Sequence, residues 1–163
     1  VYIYNFIFKD IIPDQSIKFR IVVPSKDISK IKKLIKKNKI IKKFLLIEPY
    51  SLDARKIYNT SLCIVHPTVY GEGLPRIYLE AAACGVPVIT TKNPGYVDFY
   101  EDYKTALIVE KNNPKQILDK IKILILNSSL RKEIIDNSKD NLDKYFSNTN
   151  AQYFDIINKL FEI

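Results

Sequence analysis

With 163 residues, 47% of them hydrophobic and 12% aromatic, the chain can bury one core of ordinary domain size, which excludes a disordered polymer. Its formal charge of +8 marks it as basic. No apolar run approaches the roughly 18 residues that a membrane-spanning helix needs, and residues 1–12 lack signal-peptide flanks because their basic residue follows the apolar stretch. Cys63 and Cys84 have no metal-type spacing, so reduced, buried thiols are expected and agree with a cytoplasmic setting. Methionine is absent, from which the expectation is that Val1 is not a natural start and that the chain is a fragment or a processed product.

In chain order, strands and helices alternate. Residues 1–12 are apolar, with a periodicity that does not decide their state. Residues 17–23 read as a buried strand, and a helix capped by Ser25 runs to about residue 37. Within it Ile28, Ile31, Leu34 and Ile35 keep helical spacing, which leaves the nine lysines between Lys26 and Lys43 on an outer face. That face reads either as solvated or as drawn to anionic lipid, including the inner face of a membrane or lipid-phosphate acceptors. Without interleaved aromatics, nucleic acid is not expected.

Residues 44–47 form the next strand, residues 51–59 a short helix, and residues 62–66 a strand of β-branched centre that ends at Pro67. A helix then runs to Cys84 with Gly85 as its stop. Residues 86–90 are a strand, 96–101 a helical turn and 106–109 a last strand. Amphipathic helices follow over 114–126 and 129–145, with a final helix at 151–161. Such alternation with right-handed crossovers predicts an α/β fold, a doubly wound, Rossmann-like parallel sheet that binds ligands at the carboxyl ends of its strands.

One such end carries the run His66-Pro-Thr-Val-Tyr-Gly-Glu72-Gly-Leu-Pro-Arg-Ile-Tyr-Leu-Glu80. Gly71 and Gly73 permit close approach of a ligand, and Pro75 suits a first helical position. The amides of Arg76 and Ile77, with the positive end of the helix dipole, predict an anion site for a phosphate or diphosphate. Glu80 lies roughly 8 Å further along the axis, and Glu72 sits in the loop on the other side. Ionised carboxylates accept hydrogen bonds and repel phosphate, so sugar hydroxyls are their natural partners. The alternative for Glu80 is a dipole or capping role. A dinucleotide fingerprint is excluded because Arg76 stands where the third glycine belongs, and a Walker loop because Gly-Lys-Ser/Thr is missing.

The stretch from Glu72-Gly-Leu-Pro-Arg-Ile-Tyr-Leu-Glu80 through Ala-Ala-Ala-Cys-Gly-Val-Pro-Val-Ile-Thr-Thr-Lys-Asn-Pro-Gly95 resembles the donor-binding signature of retaining GT-B glycosyltransferases of the glycosyl transferases group 1 kind. The likeness extends in weaker form over nearly the whole chain, and it implies that residues 1–12 are helical. It also implies that residues 1–163 are one nucleotide-sugar-binding domain of a GT-B fold, truncated at its N-terminus and lacking the acceptor-binding domain. The implied substrate is a nucleotide-sugar, with UDP the expected carrier. Neither a cofactor nor a metal is expected. The implied reaction moves the sugar to a glycan or lipid-linked acceptor of a surface polysaccharide.

Carried over by position, Glu80 holds the ribose, and Glu72, the residue at the reacting centre, holds hydroxyls of the transferred sugar. Gly73, Leu74, Arg76 and Ile77 cradle the diphosphate. Further lining is expected from His66, from Glu48, Pro49 and Tyr50 near the base, and from Thr91 and Gly95 near the sugar. Tyr96-Val-Asp98 and Lys104-Thr-Ala106 depart from the usual pattern. The family's basic pair on an earlier glycine loop is also missing: Arg20 and Lys26 have its spacing but sit on a predicted strand and beyond it. A non-catalytic nucleotide-sugar module and a basic docking scaffold remain the alternatives.

Overall fold

The computed structural model describes residues 18–35, 45–50, 54–71 and 73–161, and these form two compact units that divide after Lys56. The segment at 1–12 lies outside the described residues, as does Glu72.

In the first unit, β1 (Phe19–Val23) pairs in parallel with β2 (Leu45–Pro49), from Phe19 opposite Leu45 to Val23 opposite Pro49. Helix α1 (Ile28–Ile35) packs its apolar stripe on them, with Ile31 and the buried Ile35 against Phe19, Leu45 and Ile47. Ser25 does not cap this helix as expected. It opens a 3-10 turn, Ser25–Asp27, in which the Asp27 amide donates to the Pro24 carbonyl at 2.8 Å. Arg20 lies within β1, and its Nε is 3.1 Å from Glu48 Oε2.

The second unit begins in α2 (Arg55–Asn59) and is built on a three-stranded parallel sheet in the order β3 (Ile64–His66), β4 (Val88–Thr91), β5 (Leu107–Val109). All four residues of the central strand are buried, as befits a parallel strand covered on both faces. Helix α3 (Arg76–Ala83) connects β3 to β4 and buries Tyr78, Ala81 and Ala82. Helix α4 (Pro114–Leu126) starts with the Asn113 side chain accepting from the Gln116 amide at 3.1 Å and buries Ile117, Leu118, Ile121 and Leu124, a helical stripe. Burying each such side chain contributes roughly 1.5–3 kcal/mol.

The two helices expected at 129–145 and 151–161 are one helix, α5 (Ser128–Phe161). The polar run Ser147-Asn-Thr-Asn150 reads as a break, yet no proline or glycine occurs in the span, and the Thr149 hydroxyl bonds back to the Tyr145 carbonyl at 2.7 Å. Among the described residues, no helix is long and apolar enough to cross a membrane.

Gly85 ends α3 in the left-handed region at φ 67°, with its amide donating to the Ala82 carbonyl at 3.1 Å. A Cβ there would meet Lys139 Cε and Nζ at 3.3 Å. Gly85→Ala is expected to destabilise the fold by about 1–2 kcal/mol in urea unfolding. Both cysteines are free and half-buried, and burial pushes the Cys63 thiol up to about 12. Because the thiolate is the reactive form, its population at pH 8 falls about a thousandfold. Thiol titration at pH 8 should therefore find Cys63 unreactive until the chain is denatured.

Candidate functional site

The loop that leads from β3 into α3 is fixed by side chains from the neighbouring strand ends. The Thr91 hydroxyl donates to the Thr68 carbonyl, Lys111 Nζ to the Val69 carbonyl at 3.2 Å, and Asn93 Nδ2 to the Tyr70 carbonyl at 2.7 Å. Asn93 also accepts the Gly95 amide on Oδ1 at 3.1 Å, so one buried amide joins this loop to the turn after β4, Pro94–Tyr96. An unpaired buried amide costs free energy, and here each end of the side chain is used.

Helix α3 starts one residue later than expected. Pro75 is extended, at φ −69° and ψ 138°, and occupies the cap position, with its carbonyl accepting from the Tyr78 amide at 3.0 Å. Arg76 and Ile77 then hold the first two helical positions, where amides have no carbonyl within the helix to bond. Their dipole end favours an anion. Gly71 and Gly73 lie in open space with no atom within 4 Å of an added Cβ, and neither has a positive φ. The loop's own backbone therefore does not demand glycine at either position. Leu74 is half-buried beside them.

Just over one turn into the helix, Glu80 is partly exposed. Its Oε2 accepts from the Tyr58 hydroxyl at 2.8 Å, and Arg76 Nη2 approaches Oε1 at 3.4 Å. Glu80 therefore sits on the same short helix as the free-ended amides, with a carboxylate oriented by a phenol from α2.

Beneath the helix is a chain of hydrogen-bonded side chains. His66 Nδ1 lies 2.9 Å from the Tyr78 hydroxyl, which is 2.6 Å from Thr90 Oγ1. Thr90 donates to the His66 carbonyl at 3.2 Å, and the Tyr96 hydroxyl donates to the Thr91 carbonyl at 2.9 Å. Tyr78 is fully buried and meets the rings of His66 and Tyr96 edge to face, with centroids 5.4 and 4.9 Å apart. Burial foremost, then the phenols of Tyr78, Tyr96 and Tyr58, hold the neighbouring Tyr100 hydroxyl neutral far above its ordinary range.

Of the expected lining residues, His66 and Thr91 are thus drawn into the framework: Thr91 is buried and its hydroxyl is spent on the loop, and His66 is half-buried with Nδ1 engaged. Gly95 is exposed at the carboxyl end of β4, as expected. Glu48, Pro49 and Tyr50 close β2 in the first unit, where the Tyr50 amide donates to the Val23 carbonyl at 2.9 Å. The expectation for Glu72 falls outside the described residues. Tyr58, Tyr78 and Lys111 were not singled out from sequence; the signal for Tyr78 was a tyrosine on the apolar stripe of a helix, which reads as core alone.

Asn93 and Tyr96 also line a cavity of about 590 Å³ with Lys92, Tyr103, Glu110 and Lys120. Two of its charges, Lys120 and Asp102, pair with each other. Lys120 Nζ donates to both Asp102 oxygens at 3.2 and 3.3 Å and stands 3.6 Å from the Tyr103 ring centre.

The family described as glycosyl transferases group 1 matches residues 8–141. The capsular polysaccharide biosynthesis glycosyltransferase CapM of Staphylococcus aureus is 39% identical over 95 residues, which are 58% of this chain and 25% of CapM. Among solved structures, TarM superposes with a TM-score of 0.81 at 22% identity over 96% of this chain and 31% of that one. HepE of Anabaena, solved in complex with UDP, gives 0.77 at 15% identity over 88% of this chain and 41% of that one. The chain therefore spans a minor part of each of these proteins, and its fold is that of one lobe of the GT-B architecture. With the family match running over most of its length, the chain belongs to the glycosyl transferases group 1 family.

Proposed function

We propose that the chain is the donor-binding half of a retaining glycosyltransferase, which takes a sugar from a nucleotide diphosphate, UDP being favoured, and passes it to a glycan or lipid-linked acceptor. The observation that carries this reading is the pairing of Glu80 with the start of α3. A carboxylate in the second turn of a helix, beyond first-turn amides without helical partners, suits a ligand with hydroxyls at one end and a diphosphate in the middle. In this reading Glu80 accepts from the ribose hydroxyls, and the amides of Arg76 and Ile77 receive the diphosphate. Gly73 and Leu74 let it approach closely. Glu72 accepts from hydroxyls of the transferred sugar.

When the bond to the anomeric carbon breaks, negative charge grows on the leaving diphosphate. Fixed amides and the helix dipole stabilise that charge without reorganising. The sugar must also meet its acceptor in a closed, dry cleft, so a second lobe is proposed to supply the acceptor site. Support for UDP comes from HepE, which binds it, and support for a surface-polysaccharide product from the capsular role in the name of CapM. The retaining stereochemistry rests on the resemblance of the run from Glu72 to Gly95.

Losing the hydrogen bonds of a charged acceptor should cost Glu80→Ala about a hundredfold or more in UDP affinity. Glu72→Ala should weaken UDP-sugar binding more than UDP binding. Calorimetric titrations in which both variants match wild type for both ligands would contradict the assignment. Asn93→Leu removes the buried link between the Tyr70 carbonyl and the Gly95 amide, with an expected loss of about 1–3 kcal/mol in thermal unfolding and weaker UDP-sugar binding.

A further inference from the structure

We infer that Tyr58 is a positioning residue for Glu80: it holds Oε2 so that Oε1 is the atom presented to the vicinal diol of the nucleotide's ribose. The inference rests on the proposed reading of Glu80 as the ribose ligand. Tyr58 belongs to α2, 22 residues before its partner, and is only 6% exposed, whereas the Glu80 side chain is 36% exposed. The donor is therefore set in the packed interior while the acceptor reaches the surface, so the 2.8 Å bond fixes the carboxylate and not the phenol.

The chemistry of the donor suits this task. A phenol gives one proton, whereas an ionised carboxylate offers about four lone-pair sites, so most of the accepting capacity remains for a ligand. Tyr58 is also uncharged. It orients the carboxylate without competing for its charge, which a lysine or arginine in that place would do.

The second holder, Arg76, differs on each count. Its contact with Oε1 is longer, at 3.4 Å, and its side chain is 87% exposed, where ion pairs contribute little and are easily displaced. A diol arriving at Oε1 displaces this weak, exposed contact at little cost. Tyr58 keeps its bond throughout.

The test is calorimetric titration of the full chain with UDP and with its 2′,3′-dideoxy analogue. Tyr58→Phe keeps the ring and its packing and removes one hydrogen bond to a charged group, so UDP should bind about tenfold more weakly. The analogue, which lacks the hydroxyls, should bind Tyr58→Phe and wild type equally. Placing Tyr58→Phe on top of Glu80→Ala should add no further loss, as for two residues that act through one another.

Equal UDP affinity of Tyr58→Phe and wild type, or an equal loss for both ligands, overturns the positioning role while leaving Glu80 in place. A Glu80→Ala variant that binds UDP like wild type overturns instead the reading of Glu80 itself. Arg76→Ala, an exposed change that leaves Tyr58 untouched, should preserve the wild-type ratio of the two affinities. A ratio that collapses towards one in Arg76→Ala puts the hold on the arginine and overturns the proposal even if Tyr58→Phe does not fold.

Discussion

Three consecutive carbonyls, those of Thr68, Val69 and Tyr70, are tied down by side chains at or just beyond the ends of β4 and β5, and the geometry of the candidate site depends on those ties. The parallel register sets His66 opposite Thr90, so the loop after β3 leaves the sheet beside Thr91 and Asn93. Held there, it reaches Pro75 extended, and the helix starts at Arg76. From that start the helical period puts Tyr78, Ala81 and Ala82 in the core and leaves Glu80 towards the surface. A loop free to slide by one residue would turn Glu80 through about 100° and take it off its phenol.

The ties would achieve little over a soft interior. Beneath α3, the hydroxyls of Tyr78, Thr90 and Tyr96 and the ring of His66 share hydrogen bonds and backbone carbonyls in a buried cluster. Buried polar groups are costly unless paired, and a paired network tolerates few other arrangements. Its side chains are paired with one another and with backbone carbonyls, so the floor of the site is rigid. Catalysis by differential stabilisation of a leaving diphosphate requires preorganised, uncompensated amides.

Features written in local chemistry were legible in the sequence. Helix α4 spans the residues 114–126 that its amphipathic pattern indicates. Gly85 stops α3 in the left-handed conformation that glycine favours. The signature from Glu72 to Gly95 carried the family, and the family carried the expected roles of Glu80 and the helix start. What escaped was contact between distant residues. Tyr58 reaches Glu80 across 22 positions and Lys111 reaches Val69 across 42, and neither pairing leaves a period or a motif. Thr91 and His66 were placed at the correct strand ends, yet their side chains serve the framework, because a polar residue at a strand end reads alike whether it meets a ligand or a neighbouring carbonyl. The join of the last helices was missed for a related reason: Ser147-Asn-Thr-Asn150 has poor helix propensity, but α5 contains no residue that breaks a helix outright.

A crystal structure of the chain with UDP would test the central claim most directly, namely that the start of α3 and Glu80 together form one nucleotide site. The ribose hydroxyls should lie within hydrogen-bond distance of the Glu80 carboxylate, with diphosphate oxygens on the amides of Arg76 and Ile77. UDP bound with its ribose away from Glu80, or seated in the cavity lined by Lys92 and Tyr103, would contradict it.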